Sequence, residues 1–286
     1  MLKCDEKYIS LAVDRFDNGE PMKVAILAGG RGTRLADPAD THGIVPKPMI
    51  RIGEQPILWH ILKHYEKFGF NDFTIACGFM AETIKEYFSN YVSDQANMRF
   101  DLGNGTQTQL ENHKEDWVVT CVDTGENTNT GGRIKRLKPF LVNDETGKNE
   151  TFMLTWGDGL CDLDLGELLA FHKSHGKLCT LTAVHPPARF GELKVEGDAI
   201  TEFQEKPEQS QGWINGAFFV CEPEIFDYID GDDTLFEGDP LQRLAKDGEL
   251  MAYKYNGFWK CMDTPKDRDE LREMFNNGNA PWKESK

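Results

Sequence analysis

The sequence predicts an α/β fold: a mixed, mainly parallel sheet flanked by helices, with a projecting β-hairpin and a C-terminal mixed lobe. Three observations predict it. Short apolar runs of strand length alternate with segments of helical apolar spacing from Lys23 to Tyr91. A glycine-rich turn follows the first strand at once, the place where open α/β sheets bind ligands. Beyond Met98, and again beyond Pro186, the pattern changes to short strands separated by turn residues.

The elements read in order as follows. Residues 1–21 precede the first strong strand and form an N-terminal extension; residues 22–286 are expected to be a single domain. Lys23–Leu27 (KVAIL) is a short buried strand. Pro56–Phe68 has helical spacing, with proline suited to the first turn. Asp72–Cys77 is a second buried strand and Ala81–Tyr91 a second helix. MRFDLG, TQTQLE and WVVTCVDT read as strands around a Gly-Asn-Gly turn, which predicts the hairpin. Gly131–Leu137 is a short helix, Thr151–Thr155 a strand, Leu165–Ser174 a helix and Leu178–Val184 a strand. FGELKV, ITEFQEK and INGAFFV are β-rich, and two helices with the strand Leu250–Tyr255 close the chain.

Composition narrows the function. The chain has 286 residues, 39% apolar and 28% charged, with a formal net charge of −16. Such acidity repels phosphodiester backbones, which argues against nucleic acid as a partner, while a few placed Lys and Arg can still bind a small anion. No apolar run is long enough to span a membrane, and the first residues lack the apolar core of a secretory signal. The seven cysteines are scattered without a C-x-x-C pair, which suits a reducing cytoplasm better than a disulfide framework or zinc site.

The chemistry-bearing segments are local. Leu27-Ala28-Gly29-Gly30-Arg31-Gly32-Thr33-Arg34-Leu35 directly follows the first strand. Its glycines allow a sharp turn and close approach to a ligand, and its N–H groups suit an anion. It is not a P-loop, and Leu35 stands where a dinucleotide-binding motif needs glycine. Pro46-Lys47-Pro48-Met49 restrains one lysine between two prolines, a way to aim a point charge at phosphate. Asp158, between Gly157 and Gly159, follows a predicted parallel strand and so points into the ligand crevice. His60 with His64, and His172 with His175, have helical spacing but no supporting Cys or acid, and are not read as metal sites.

LAGGRGTRL followed by PKPM resembles the signature of the sugar nucleotidyltransferases, and the likeness runs over nearly the whole chain after residue 21. It is most specific in VDTG…TGGRIKR, TWGDGLCDLDL, FQEKP, INGAFFV and GFWKCMDT, and points to those members that join CTP to α-D-glucose 1-phosphate. The resemblance implies a Rossmann-like fold of the nucleotide-diphospho-sugar transferase type, a homo-oligomer, a Mg2+ cofactor, and a place in CDP-sugar and deoxysugar synthesis. It implies that Asp158 and Asp263 hold the metal; by itself Asp263 reads better as a helix N-cap than as a metal ligand. Arg34 and Lys47 take catalytic roles, at the leaving pyrophosphate and the α-phosphate. Leu27, Ala28, Gly29, Gly30, Arg31, Gly32, Thr33, Thr128, Arg133 and Gly157 contact the nucleotide. Glu205, Lys206, Asn215 and Gly216 contact the sugar phosphate. The sequence departs from the pattern at Val45, where the cytidylyltransferases usually carry a basic residue; this removes one charge near the phosphates.

Overall fold

A computed structural model of the chain describes residues 22–32, 35, 45–110, 115–142, 151–186, 192–204 and 212–283. The N-terminal extension, residues 1–21, lies outside the described residues, as do Thr33, Arg34, Glu205 and Lys206.

Seven strands form the central sheet: β1 (Lys23–Ala28), β2 (Asp72–Cys77), β3 (Val118–Asp123), β4 (Phe152–Trp156), β5 (Cys179–Val184), β6 (Ile214–Cys221) and β7 (Leu250–Lys254). Their spatial order is β7-β5-β6-β4-β1-β2-β3. All run parallel except β6, which is antiparallel to both β4 and β5. The helices are α1 (Ile57–Glu66), α2 (Ala81–Gln95), α3 (Thr130–Leu141), α4 (Leu165–His175), α5 (Asp239–Lys246) and α6 (Pro265–Asn276).

The continuous apolar runs of the central strands follow from burial on both faces. Val24, Ile26 and Ala28 of β1 enter one core, with α1, α2, α4 and α6; Ala25 and Leu27 enter the other, with α3 and α5. Phe218 and Phe219 of β6 divide in the same way. Val45 is half-buried against the first core. The six described cysteines are free, and four of them are buried.

Two sequence expectations are refined. The segment WVVTCVDT does not join the hairpin; it becomes β3, the parallel edge of the main sheet. The hairpin is Met98–Asp101 paired with Thr106–Gln109, with Gly105 at φ 64° in its turn. Of the β-rich C-terminal stretches, INGAFFV completes the main sheet as β6, while Glu192–Glu196 and Ala199–Gln204, among the described residues, pair with each other as a separate two-stranded sheet. Among the described residues no helix is long and apolar enough to cross a membrane.

Helix α1 buries both of its histidines. His60 Nε2 donates to the Ile52 carbonyl at 2.8 Å, and His64 Nε2 lies 3.6 Å from Cys161 Sγ. Burial holds each imidazole neutral, pulling its pKa from 6.5 to about 4. Unfolded, both take up a proton near pH 6.5. The unfolded chain therefore binds more protons between about pH 6.5 and 4, and stability is lost as pH falls through that window. The expected loss is roughly 3 kcal/mol per histidine. A melting series from pH 7 to 4 checks it, and His64→Leu should flatten part of the dependence.

Candidate active site

The site is built at the carboxyl ends of β1 and β4. β1 runs directly into Gly29–Gly32. Gly32 has φ 56°, a left-handed conformation, and a side chain there would press on Lys47 Cβ at 2.8 Å. The loop therefore seats on the turn carrying Lys47, which is closed by Met49 N–H donating to Pro46 O at 2.8 Å. After β4, Gly157 N–H donates to Leu27 O at 2.9 Å, and a Cβ at Gly157 would meet Pro48 Cγ at 3.0 Å. Three segments distant in sequence thus meet with no room for added side chains.

A short antiparallel ladder brings the two predicted acids together. Gly159–Cys161 pairs with Trp259–Cys261, Cys261 opposite Gly159. One step further, Met262 N–H donates to Asp158 O at 2.9 Å. Asp158 and Asp263 lie at the same end of this ladder. The N-cap of α6 is Thr264, in a capping box with Asp267, so the Asp263 carboxylate is left for the site. Lys47 Nζ lies 2.6 Å from Asp158 Oδ2 and 2.6 Å from Asp263 Oδ1. Burial of Lys47 lowers its pKa, but the Asp158 charge and the hydrogen bonds to both acids outweigh it and hold the ammonium above its ordinary value. Cys261 Sγ donates to the second oxygen of Asp263 at 3.2 Å. Burial and the nearby Asp263 charge push that thiol up to about 12.

The cleft has a volume of about 300 Å³. Of the predicted residues, Leu27, Gly29, Gly30, Arg31, Lys47, Thr128, Arg133, Gly157 and Asp158 line it. Ala28 and Gly32 are not among the lining residues, and Asp263 joins through its contact with Lys47. Arg31 reaches across to Glu126 Oε1 at 2.9 Å and Asn127 Oδ1 at 3.3 Å. Asn215 and Gly216 lie apart from the lining, in the irregular stretch where the β5–β6 register shifts. Asn215 Oδ1 accepts from Ala217 N–H at 2.7 Å, with Ala217 at φ 61°, and Gly216 O accepts from Trp259 Nε1 at 2.7 Å.

Arg133 is almost fully buried. Nη1 donates to Thr124 Oγ1 at 2.7 Å, Gly125 O at 2.8 Å and Cys77 O at 3.3 Å; Nη2 donates to Glu126 O at 3.1 Å and Gly29 O at 3.3 Å. A Cβ at Gly29 or Gly78 would overlap the guanidinium. Arg133 therefore ties the glycine-rich loop to the 124–126 turn, and its donors spend their hydrogen bonds on protein oxygens.

Sequence reasoning missed one wall. Trp156 Nε1 donates to Glu237 Oε1 at 3.0 Å and Thr130 Oγ1 to Glu237 Oε2 at 2.5 Å, setting Trp156 beside Leu235 at the cleft. The loop carrying Leu235 and Glu237 docks on the start of α3, with Gly131 N–H donating to Thr234 O at 2.9 Å. The TGG run was the available signal: a Cβ at Gly131 or Gly132 would strike this loop.

The donor set fits a hard divalent ion. Asp158 and Asp263 offer carboxylate oxygens on a shared cation position, and Mg2+ takes one or two such carboxylates with phosphate and water completing its shell. Among the described residues no group of three His, Cys, Asp or Glu gathers as a preformed metal cage.

Comparison with known proteins gives the family and the fold. The nucleotidyl transferase family model matches residues 23–269. The glucose-1-phosphate cytidylyltransferase of Salmonella typhi is 45% identical over 262 residues, 92% of this chain and 99% of that protein. The probable glucose-1-phosphate cytidylyltransferase of Bacillus subtilis is 41% identical over 263 residues, again 92% and 99%. Among solved structures, HddC from Yersinia pseudotuberculosis matches with a TM-score of 0.61 at 23% identity, over 89% of this chain and 99% of that one. UDP-glucose pyrophosphorylase complexed with UDP-glucose matches with a TM-score of 0.62 at 16% identity, over 91% and 100%. The structural matches establish the fold, and the sequence matches the lineage: the chain belongs to the nucleotidyl transferase family, alongside the glucose-1-phosphate cytidylyltransferases.

Proposed function

We propose that the chain transfers the cytidylyl group of CTP to α-D-glucose 1-phosphate, giving CDP-glucose and pyrophosphate. The observation that carries this reading is the convergence of Lys47, Asp158 and Asp263 beside a glycine-rich cleft, in a chain that matches named cytidylyltransferases over nearly their full length.

The attacking group is a phosphate oxygen of the sugar 1-phosphate, already ionised at neutral pH, so no general base is required. It bonds to the α-phosphorus of CTP as the bond to the bridging oxygen of pyrophosphate breaks. Alignment and charge stabilisation supply the rate. The Gly29–Gly32 backbone and Arg31 bind the triphosphate, with Arg34 assigned to the β- and γ-phosphates. Lys47 steadies charge on the α-phosphate. Arg133 positions the loop, and Thr128 and Gly157 border the nucleotide. Glu205 and Lys206, with Asn215 and Gly216, are assigned to the sugar phosphate. Asp158 and Asp263 would hold Mg2+, which when bound offsets phosphate charge during in-line displacement. The exposed hairpin apolars Phe100 and Leu102 support a homo-oligomer contact through that hairpin.

The test is pyrophosphate release across four nucleoside triphosphates and several sugar 1-phosphates, with and without Mg2+. CTP with glucose 1-phosphate should give the highest kcat/KM. A preference for UTP or dTTP would move the base assignment, and release from no pair despite nucleotide binding would overturn catalysis altogether.

A further inference from the structure

We propose that Lys47 is the resident cation of the nucleotide-free site, so that divalent-metal affinity is created by the arriving nucleotide instead of being preformed. This deepens the reading of Asp158 and Asp263 as metal ligands and rests on it.

The geometry is a three-body contact. One ammonium lies 2.6 Å from an oxygen of each acid, and its side chain is only 15% exposed. A divalent ion held by the same two acids would compete with the ammonium for their oxygens. The second oxygen of Asp263 accepts from the Cys261 thiol at 3.2 Å. Metal and Lys47 are therefore alternatives at one position, and a metal arriving alone must break both ion pairs and leave a partly buried ammonium without either anion.

The nucleotide removes this obstacle. Lys47 also lines the cleft assigned to the triphosphate. Its backbone is pinned between Pro46 and Pro48 and pressed by Gly32, so only its four-carbon stem can move. A triphosphate in the cleft supplies new anionic oxygens within reach of that stem. Lys47 then exchanges carboxylate for phosphate, and both acids are released to the metal in the same event. By linkage, whatever factor the nucleotide adds to metal affinity, the metal adds to nucleotide affinity. Lys47 would thus couple the two ligands before any chemistry occurs.

The experiment is Mn2+ binding to the full chain without nucleotide, read from the free-Mn2+ electron paramagnetic resonance signal. Wild type, K47M, K47Q, D158N and the double variant K47M/D158N are compared. Removal of Lys47 should tighten Mn2+ binding by about tenfold or more, within the usual range of coupling between sites. Adding Asp158→Asn should abolish that gain. Where K47M is too unstable to titrate, its melting temperature in Mn2+ against EDTA gives the same answer: Mn2+ should raise it more than in wild type, and K47Q should behave likewise. Wild type binding Mn2+ as tightly as K47M and K47Q, with Asp158→Asn weakening both, would overturn the resident-cation proposal and leave the metal site standing. Tight binding unaffected by Asp158→Asn would overturn the metal assignment itself.

Discussion

Asp158→Asn should lower kcat by about a thousandfold or more, a loss of roughly 4 kcal/mol of transition-state stabilisation. The substitution keeps the side chain's size and removes only its charge. Asp158 sits at the end of β4 with its backbone carbonyl fixed by Met262 N–H, so the fold has little reason to move. Lys47 retains Asp263 as a partner at 2.6 Å, and the melting temperature should shift by only a few degrees, on the order of the 1 kcal/mol that one partly exposed ion pair is worth. Asp263→Asn should act in the same direction. The informative comparison is single-turnover rate against melting temperature on the same preparations. A normal rate in Asp158→Asn would contradict the role given to this acid, whereas a collapsed melting transition would place it among structural residues.

Arg133→Met should be costly in the opposite sense, through stability first. The five protein oxygens on its guanidinium include the carbonyls of Gly29, Gly125 and Glu126, which lie on two separate segments of the cleft. Methionine keeps an apolar stem and removes every donor. Hydrogen bonds to a charged group contribute about 1.5–3 kcal/mol each and are not additive, so a loss of about 3 kcal/mol overall is expected. In a chain of this size that lowers the melting temperature by roughly 6–12 °C. The KM for nucleotide should rise, because the glycine-rich loop loses its tie to the 124–126 turn. Arg133→Lys should rescue little, since one ammonium cannot reproduce a planar fork. Gly78→Ala offers an independent check: it leaves Arg133 in place but intrudes on its guanidinium, and should shift both readouts in the same direction by less. An unchanged melting temperature in Arg133→Met would remove the tether from the account and favour direct contact with the nucleotide.

Much of this arrangement is legible in the sequence. KVAIL followed by AGGRG placed β1 and its loop, because strand and turn are both set by neighbouring residues. Asp158 was readable for the same reason, as an acid at a parallel strand's end. Asp263 was not readable from its surroundings. It became legible only through resemblance, since what brings it to Asp158 is a ladder between segments about a hundred residues apart, and no local pattern encodes such pairing. The strand β3 shows the same limit. Its run of Val, Thr and Cys announced a strand, but the choice between the hairpin and the sheet edge lay in partners far along the chain. Leu235 and Glu237 were invisible because an irregular loop has no period; only the glycines beneath it left a mark. Arg133 was found by motif, yet its burial and its five acceptors come from packing that a sequence does not display.

The ladder between Gly159–Cys161 and Trp259–Cys261 has a consequence for biosynthesis. The glycine-rich loop, Lys47 and Asp158 all leave the ribosome long before Asp263 does. A nascent or truncated chain ending ahead of Trp259 would have the nucleotide cleft without its second acid. Turnover would then begin only once Trp259–Cys261 had paired with Gly159–Cys161, making activity a readout of that long-range closure.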